Sequence, residues 1–230
     1  MELSKRLRAV ADLVGEGLIV ADVGTDHGYI PIYLLETEKC PKAIAMDINH
    51  GPLLHAKEHI REHRLDDKIE VRQSDGVKAL SKGECNCIVI AGMGGALAIN
   101  ILEEGKAIFR EVQEFVLQPQ SELAKVRQYL WENRYTIVAE DMVLEDGKFY
   151  PMMKVRRGQA SEYNQIELCY GKRLLEQKHP ILKLFLEKEV KTRRLILKKL
   201  ESETGEHIEN RKKELEEELF LAKEALQVYF

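Results

Sequence analysis

The chain has 230 residues, 44% hydrophobic and 32% charged, with a formal net charge of −4 and four cysteines. That length and balance exclude a disordered tail, a collagen and a disulfide-built miniprotein, and they leave room for a packed core plus an appendage. They also exclude a whole-face positive field for nucleic acid: residues 159–230 hold 14 basic and 14 acidic side chains, so any polyanion must be met by local patches.

The opening MELSKRLRAV is charged from its second residue and has no apolar signal core. The apolar run 87–99 is shorter than the roughly 20 residues a membrane-spanning helix needs, and it contains three glycines. Cys40, Cys85, Cys87 and Cys169 show no CxxC spacing. These features predict a cytoplasmic protein with reduced thiols, no membrane and no metal.

Along residues 1–158, short apolar runs alternate with helical patterns, the rhythm of an α/β sheet. Leu3, Leu7, Val10 and Val14 stripe a first helix. Leu18–Ala21 reads as a buried strand, followed by a glycine-bearing turn and a helix from Tyr29. Ala43–Met46 is a second strand, and Gly51-Pro52 opens a helix to about Glu62. Ile69–Arg72 and Cys87–Ala91 are the third and fourth strands, followed by a helix over Ala96–Leu102. Phe115–Leu117 is a fifth strand, and Ser121 is the expected N-cap of a helix reaching Asn133. Thr136–Val143 and Phe149–Val155 are joined by so short a turn that they must be antiparallel. Seven strands of this kind predict a mostly parallel, doubly wound sheet.

The strand signals stop near Ser161. Leu182, Leu186, Val190, Leu197 and Leu200 then form one apolar stripe, and Ile208, Leu215, Leu219, Ala222, Leu226 and Tyr229 a second. Heptad-like spacing with a break near Thr204-Gly205 predicts an antiparallel coiled-coil hairpin. The expected domains are therefore 1–158 and 159–230.

The chemistry lies in Asp22-Val23-Gly24-Thr25-Asp26-His27-Gly28, between the first strand and the following helix. In a doubly wound sheet, ligands bind outside the carboxyl ends of the strands, beside this turn. A glycine turn alone is also what a plain connection looks like. The carboxylates are more informative. A dinucleotide site needs small neutral residues here so that a pyrophosphate can approach the helix N-terminus, and Asp22 and Asp26 would repel it. A ligand bearing an ammonium and a sulfonium, S-adenosylmethionine, would be attracted. Asp47 ends the second strand, where an acid can take the ribose hydroxyls, and Asp75-Gly76 ends the third, where a carboxylate can take the adenine amino group. Gly92 and Met93 end the fourth strand, where the acceptor should lie. That turn offers no side-chain proton acceptor, which suits an acceptor nitrogen with a free lone pair.

Ser4-Lys5-Arg6-Leu7, the DVGTDHGYIP run, Ile90–Gly95, Leu117-Gln118-Pro119 and Glu145–Tyr150 together resemble the bacterial tRNA (adenine-22-N1)-methyltransferase family. The resemblance implies a class I methyltransferase (Rossmann-like) domain, S-adenosylmethionine as cofactor and N1 of a D-arm adenine as acceptor. Thr25, Gly28, Asp47 and Gln120 depart from the family's usual Ser, Ala, Glu and Asn. Adenine N1 has an in-plane lone pair and no proton, so rate should come from positioning and from anions near the cationic product. Asp26 fits that electrostatic role, Tyr29 fits stacking on the flipped base, and His27 a cofactor contact. Lys5, Arg6 and Arg8 lie off the first helix's stripe, and Lys191, Arg193, Arg194, Lys198 and Lys199 form an acid-free basic run. Both sets are candidate tRNA phosphate contacts, although ordinary solvated faces look the same. The reading is a monomeric tRNA adenine-N1 methyltransferase. A methyltransferase for a small molecule or protein, and a non-catalytic RNA-binding scaffold, remain open alternatives.

Overall fold

The computed structural model describes residues 1–159 and 162–230, and the chain divides into the units Met1–Ser161 and Glu162–Phe230. In the first unit, seven strands run in the order β3-β2-β1-β4-β5-β7-β6. Strands β1 (Val20–Val23), β2 (Ala43–Asp47), β3 (Ile69–Gln73), β4 (Cys87–Met93) and β5 (Glu114–Pro119) pair in parallel, and β7 (Lys148–Arg157) lies antiparallel between β5 and β6 (Tyr135–Glu145). This is the class I methyltransferase sheet that the resemblance implied. The hairpin turn has Asp146 and Gly147 both at positive φ, the type I′ geometry that suits strand twist.

β1 is buried at every position because helices cover both faces of the sheet. It begins two residues later than expected. Pairing with β2 starts at Val20↔Ala43, so Leu18 and Ile19 precede the ladder and Asp22 and Val23 join it. Alternation then sends Val20, Ala45, Val89 and Val116 to one core and Ala21, Met46, Ile90 and Leu117 to the other. The first core is closed by α1 (Lys5–Leu13), α2 (Tyr29–Glu36) and α3 (His50–Glu62), and the second by α4 (Gly95–Glu104) and α5 (Leu123–Glu132). Behind the sheet, Arg127 and Glu140 form a fully buried ion pair at 2.9 Å.

Ser121 does not cap α5. The residue before that helix is Glu122, in the left-handed conformation; its carboxylate meets Lys125 at 2.7 Å but caps none of the helix's backbone N–H groups. The Ser121 hydroxyl accepts from Gly95 N–H at 3.2 Å and the Glu122 carboxylate from Ala96 N–H at 3.1 Å. This loop therefore satisfies two of the N-terminal donors of α4, which begins at the carboxyl edge of the sheet.

The second unit contains α6 (Gln165–Tyr170), α7 (Lys172–Glu176), α8 (Pro180–Leu200) and α9 (Glu206–Tyr229). Gly205 breaks the long pair at φ 135°. Arg193 meets Glu218, while Val190 shares a groove with Leu226, so α8 and α9 run in opposite directions. Leu182, Leu186, Leu215 and Ala222 are fully packed, whereas Leu197, Leu200 and Ile208 are only partly covered. The seam loosens toward the tip, where fewer helices meet. α6 and α7 were not expected, although Asn164 and Glu167 form a reciprocal capping box at the start of α6.

Candidate active site

The chain order of the strands reverses between β1 and β4, and a cleft of about 400 Å³ opens there, at their carboxyl ends. Its walls include Asp22, Gly24, Asp26 and Tyr29 from the first turn, Asp47 from β2, Gly92 and Met93 from β4, Gln120 after β5, and Arg6 from α1. Six residues spread over three strand ends, expected from the sequence to hold a cofactor, are thus brought together with Tyr29.

Asp22 is 5% exposed and, among the described residues, has no cationic partner. Burial pushes its carboxyl up to about 6, with the Thr25 hydroxyl opposing and the Asp47 charge adding to the rise. Asp47 is half-buried, and its carboxylate accepts from Asn49 N–H at 2.7 Å. Gly24 has φ +76°, and a Cβ there would lie 2.0 Å from Met93 Cε, inside the cleft. The left-handed backbone and the Met93 methyl packed against it both call for glycine here. At Gly92 (φ +79°) the pairing of β4 with β5 shifts register, a bulge that turns the strand end toward the cleft. A buried carboxylate lacking a counter-charge, beside a backbone cradle, fits the ammonium-bearing end of S-adenosylmethionine.

Asp26 stands exposed at the mouth, 3.1 Å from His27 Nε2. His27 adopts φ 62°, is not on the cleft wall, and stacks with Tyr29 at 5.3 Å and His59 at 5.4 Å. Tyr29 also stacks on His59 at 5.3 Å, so one face cluster fixes the tyrosine ring at the cleft edge. His59 Nδ1 lies 3.0 Å from the His27 carbonyl oxygen, which ties α3 to the turn. His27 thus supports Tyr29 and Asp26 and does not itself line the cleft. Asp75 and Gly76 also lie off the cleft wall: Asp75 accepts from Lys78 Nζ at 2.5 Å on the exposed turn after β3.

Two of the basic candidates change character. Arg193 is not on an open basic face: Glu189, four residues earlier on α8, and Glu218 across the hairpin hold its guanidinium, the latter at 2.9 Å. Its place in the helix points it into the seam, while Arg194, Lys198 and Lys199 are exposed. Arg6 is part-buried in the cleft, whereas Arg8 pairs with Asp12 at 3.2 Å and Lys5 is exposed. Gln118 and Gln120 were not expected as site residues; their signal was position, Gln118 near the carboxyl end of β5 opposite Ala91 of β4 and Gln120 just after that end.

Residues 20–224 match the family described as tRNA (adenine(22)-N(1))-methyltransferase. The chain belongs to this family. It is 40% identical over 172 residues to the tRNA (adenine(22)-N(1))-methyltransferase of Bacillus subtilis, covering 74% of this chain and 72% of that protein. The crystal structure of the B. subtilis m1A22 tRNA methyltransferase TrmK superposes with a TM-score of 0.87 at 33% identity, over 98% of this chain and 99% of that one. Streptococcus pneumoniae Sp1610 in complex with S-adenosyl-L-methionine gives a TM-score of 0.88 at 33% identity, over 98% of this chain and 100% of its own. Members of the tRNA (adenine(22)-N(1))-methyltransferase family thus share both units of this chain. Its acid-lined cleft lies at the carboxyl ends of β1, β2 and β4.

Proposed function

We propose that this enzyme transfers a methyl group from S-adenosyl-L-methionine to N1 of adenine 22 in the D-arm of tRNA. The observation that carries this is the family match combined with three carboxylates, Asp22, Asp26 and Asp47, on one cleft at the strand-order reversal. When bound, the cofactor supplies an electrophilic methyl on sulfonium; the N1 lone pair forms the new C–N bond as the C–S bond breaks with its electrons to sulfur. N1 carries no proton, so no residue need act as a general base and no metal is needed to unmask the nucleophile. Asp22 offsets the ammonium, Asp47 accepts from the ribose, and Gly24 and Gly92 allow close backbone approach. Asp75 and Gly76, outside the cleft wall, would meet the adenine amino group only beyond the Asp47 end of the cleft. Asp26 stabilises the positive charge that passes to the base, and Tyr29, steadied by His27 and His59, stacks on the flipped adenine. Calorimetry should show S-adenosylhomocysteine binding and no binding of NAD. NAD bound as tightly would contradict the role given to the two aspartates.

No helix among the described residues is long and apolar enough to cross a membrane. The tRNA-modifying family is what supports a cytoplasmic location. We assign tRNA phosphate contacts to the second unit and, separately, to Lys5 and Arg8 of the first. Because Arg193 is engaged by Glu189 and Glu218, the exposed residues Arg194, Lys198 and Lys199 are the phosphate contacts. Neutralising these three together should weaken tRNA binding and flatten its log–log salt dependence by about 0.9 per contact with duplex, leaving cofactor affinity unchanged. Filter binding at several salt concentrations reads this, and an unchanged affinity would make the hairpin an ordinary solvated pair.

A further inference from the structure

Two residues distant in sequence, Gln118 and Tyr150, meet the side chain of Arg6 in the cleft, and a third, Glu145, holds its backbone. Ser4 caps α1 by accepting from Leu7 N–H at 3.2 Å. Glu145, at the β6–β7 turn, accepts from the N–H groups of Lys5 at 2.6 Å and Arg6 at 3.3 Å and so pins the start of that helix. The Tyr150 ring lies 5.7 Å from the guanidinium carbon. Gln118, 0% exposed, accepts from Arg6 Nη1 at 3.1 Å and from Gly92 N–H at 3.2 Å through the same oxygen. Gln118 faces α1 because it follows Val116 by two residues along β5. One buried amide therefore fixes both the cation and the bulged end of β4.

The partners of Arg6 are neutral. Among the described residues, no carboxylate pairs with it, whereas Arg8 is matched by Asp12. Its charge is thus not offset by an ion pair, and among the described residues it is the one cation on a wall that carries Asp22, Asp26 and Asp47. The cofactor's amino-acid end is a zwitterion: its ammonium finds a counter-charge in Asp22, and its α-carboxylate needs one too. We propose that Arg6 binds this α-carboxylate, with Gln118 as the positioning residue that aims the guanidinium. The planar fork of arginine matches a carboxylate through two parallel hydrogen bonds. This rests on the cofactor reading given above, and it moves Arg6 from the tRNA phosphates to the cofactor.

The test compares two ligands that share the nucleoside and thioether. S-adenosylhomocysteine has the amino-acid end, and 5′-deoxy-5′-methylthioadenosine lacks it. By calorimetry, Arg6→Met should weaken S-adenosylhomocysteine roughly ten- to a hundredfold, the loss typical of a charged hydrogen-bonded contact, while binding methylthioadenosine like the wild type. Arg6→Lys, which keeps charge and packing without the fork, should fall between and serves if the methionine variant is unfolded. Affinity for tRNA without cofactor should not change. Equal losses for both ligands, or retained S-adenosylhomocysteine binding with weakened tRNA binding, would overturn the assignment, the latter in favour of an RNA phosphate. A wild-type protein that binds neither ligand would overturn the cofactor reading itself.

Discussion

Asp26→Asn lowers single-turnover methyl transfer at saturating tRNA by roughly 100- to 1000-fold, the usual cost of removing one preorganised electrostatic group. Asparagine keeps the size of the side chain and an acceptor oxygen, and it drops only the charge. Affinity for S-adenosylhomocysteine changes little, because Asp22 and Asp47 remain and Asp26 sits at the mouth of the cleft. Asp26 also contacts His27, so His27→Gln is the control that separates charge from loop support. Full turnover in Asp26→Asn, or an equal loss in His27→Gln, would refute the electrostatic role.

Asp22→Asn should act in opposite directions on binding and on stability. Its carboxyl stands at about 6 in the folded protein against an ordinary 3.8, because burial disfavours the charge. A raised folded value means that the carboxyl's favourable contribution is complete below about pH 3.8 and is lost as pH rises through 6. At pH 8, ionising this buried group costs the ligand-free protein about 3 kcal/mol, from a rise of roughly two pH units at 1.36 kcal/mol each. Asparagine removes that cost, so Asp22→Asn should raise the ligand-free melting temperature at pH 8 and change it little at pH 4. The same substitution removes the counter-charge to the cofactor's ammonium and should weaken S-adenosylhomocysteine at least about a hundredfold. In the wild type, binding favours the ionised carboxylate, so affinity should fall about tenfold for each pH unit below 6. Calorimetry from pH 5 to 8 reads this, and a flat profile would contradict it.

The parts of the molecule legible in its sequence are those where one residue type answers one physical demand. Strand runs such as CIVIA are too apolar to lie anywhere but a sheet covered on both faces, and the short turn at Asp146-Gly147 allows only a hairpin. Carboxylates at the ends of β1 and β2 converge because the topology brings those ends to one edge. What stayed hidden depends on partners far away in the chain. Ser121 looks like a helix cap, but its hydroxyl is taken by α4, a contact set by packing and not by spacing. Arg193 reads as one more cation in a basic run, yet its helical position turns it to Glu218 across the hairpin. Arg6 lies off the apolar stripe of its helix and so looks solvated; only the fold of β5 beneath α1 brings Gln118 to it. His27, adjacent to the acidic turn, is drawn by its left-handed backbone into the stack with Tyr29 and His59.

The most direct measurement incubates the enzyme and S-adenosyl-L-methionine with a tRNA transcript carrying adenine at position 22, and then digests the RNA for nucleoside mass spectrometry and maps the modified position. The expected result is 1-methyladenosine at position 22, lost when that adenine is replaced by guanine and strongly reduced in Asp26→Asn. Methylation at N6, at another position, or undiminished after the replacement would contradict the assignment of acceptor and mechanism.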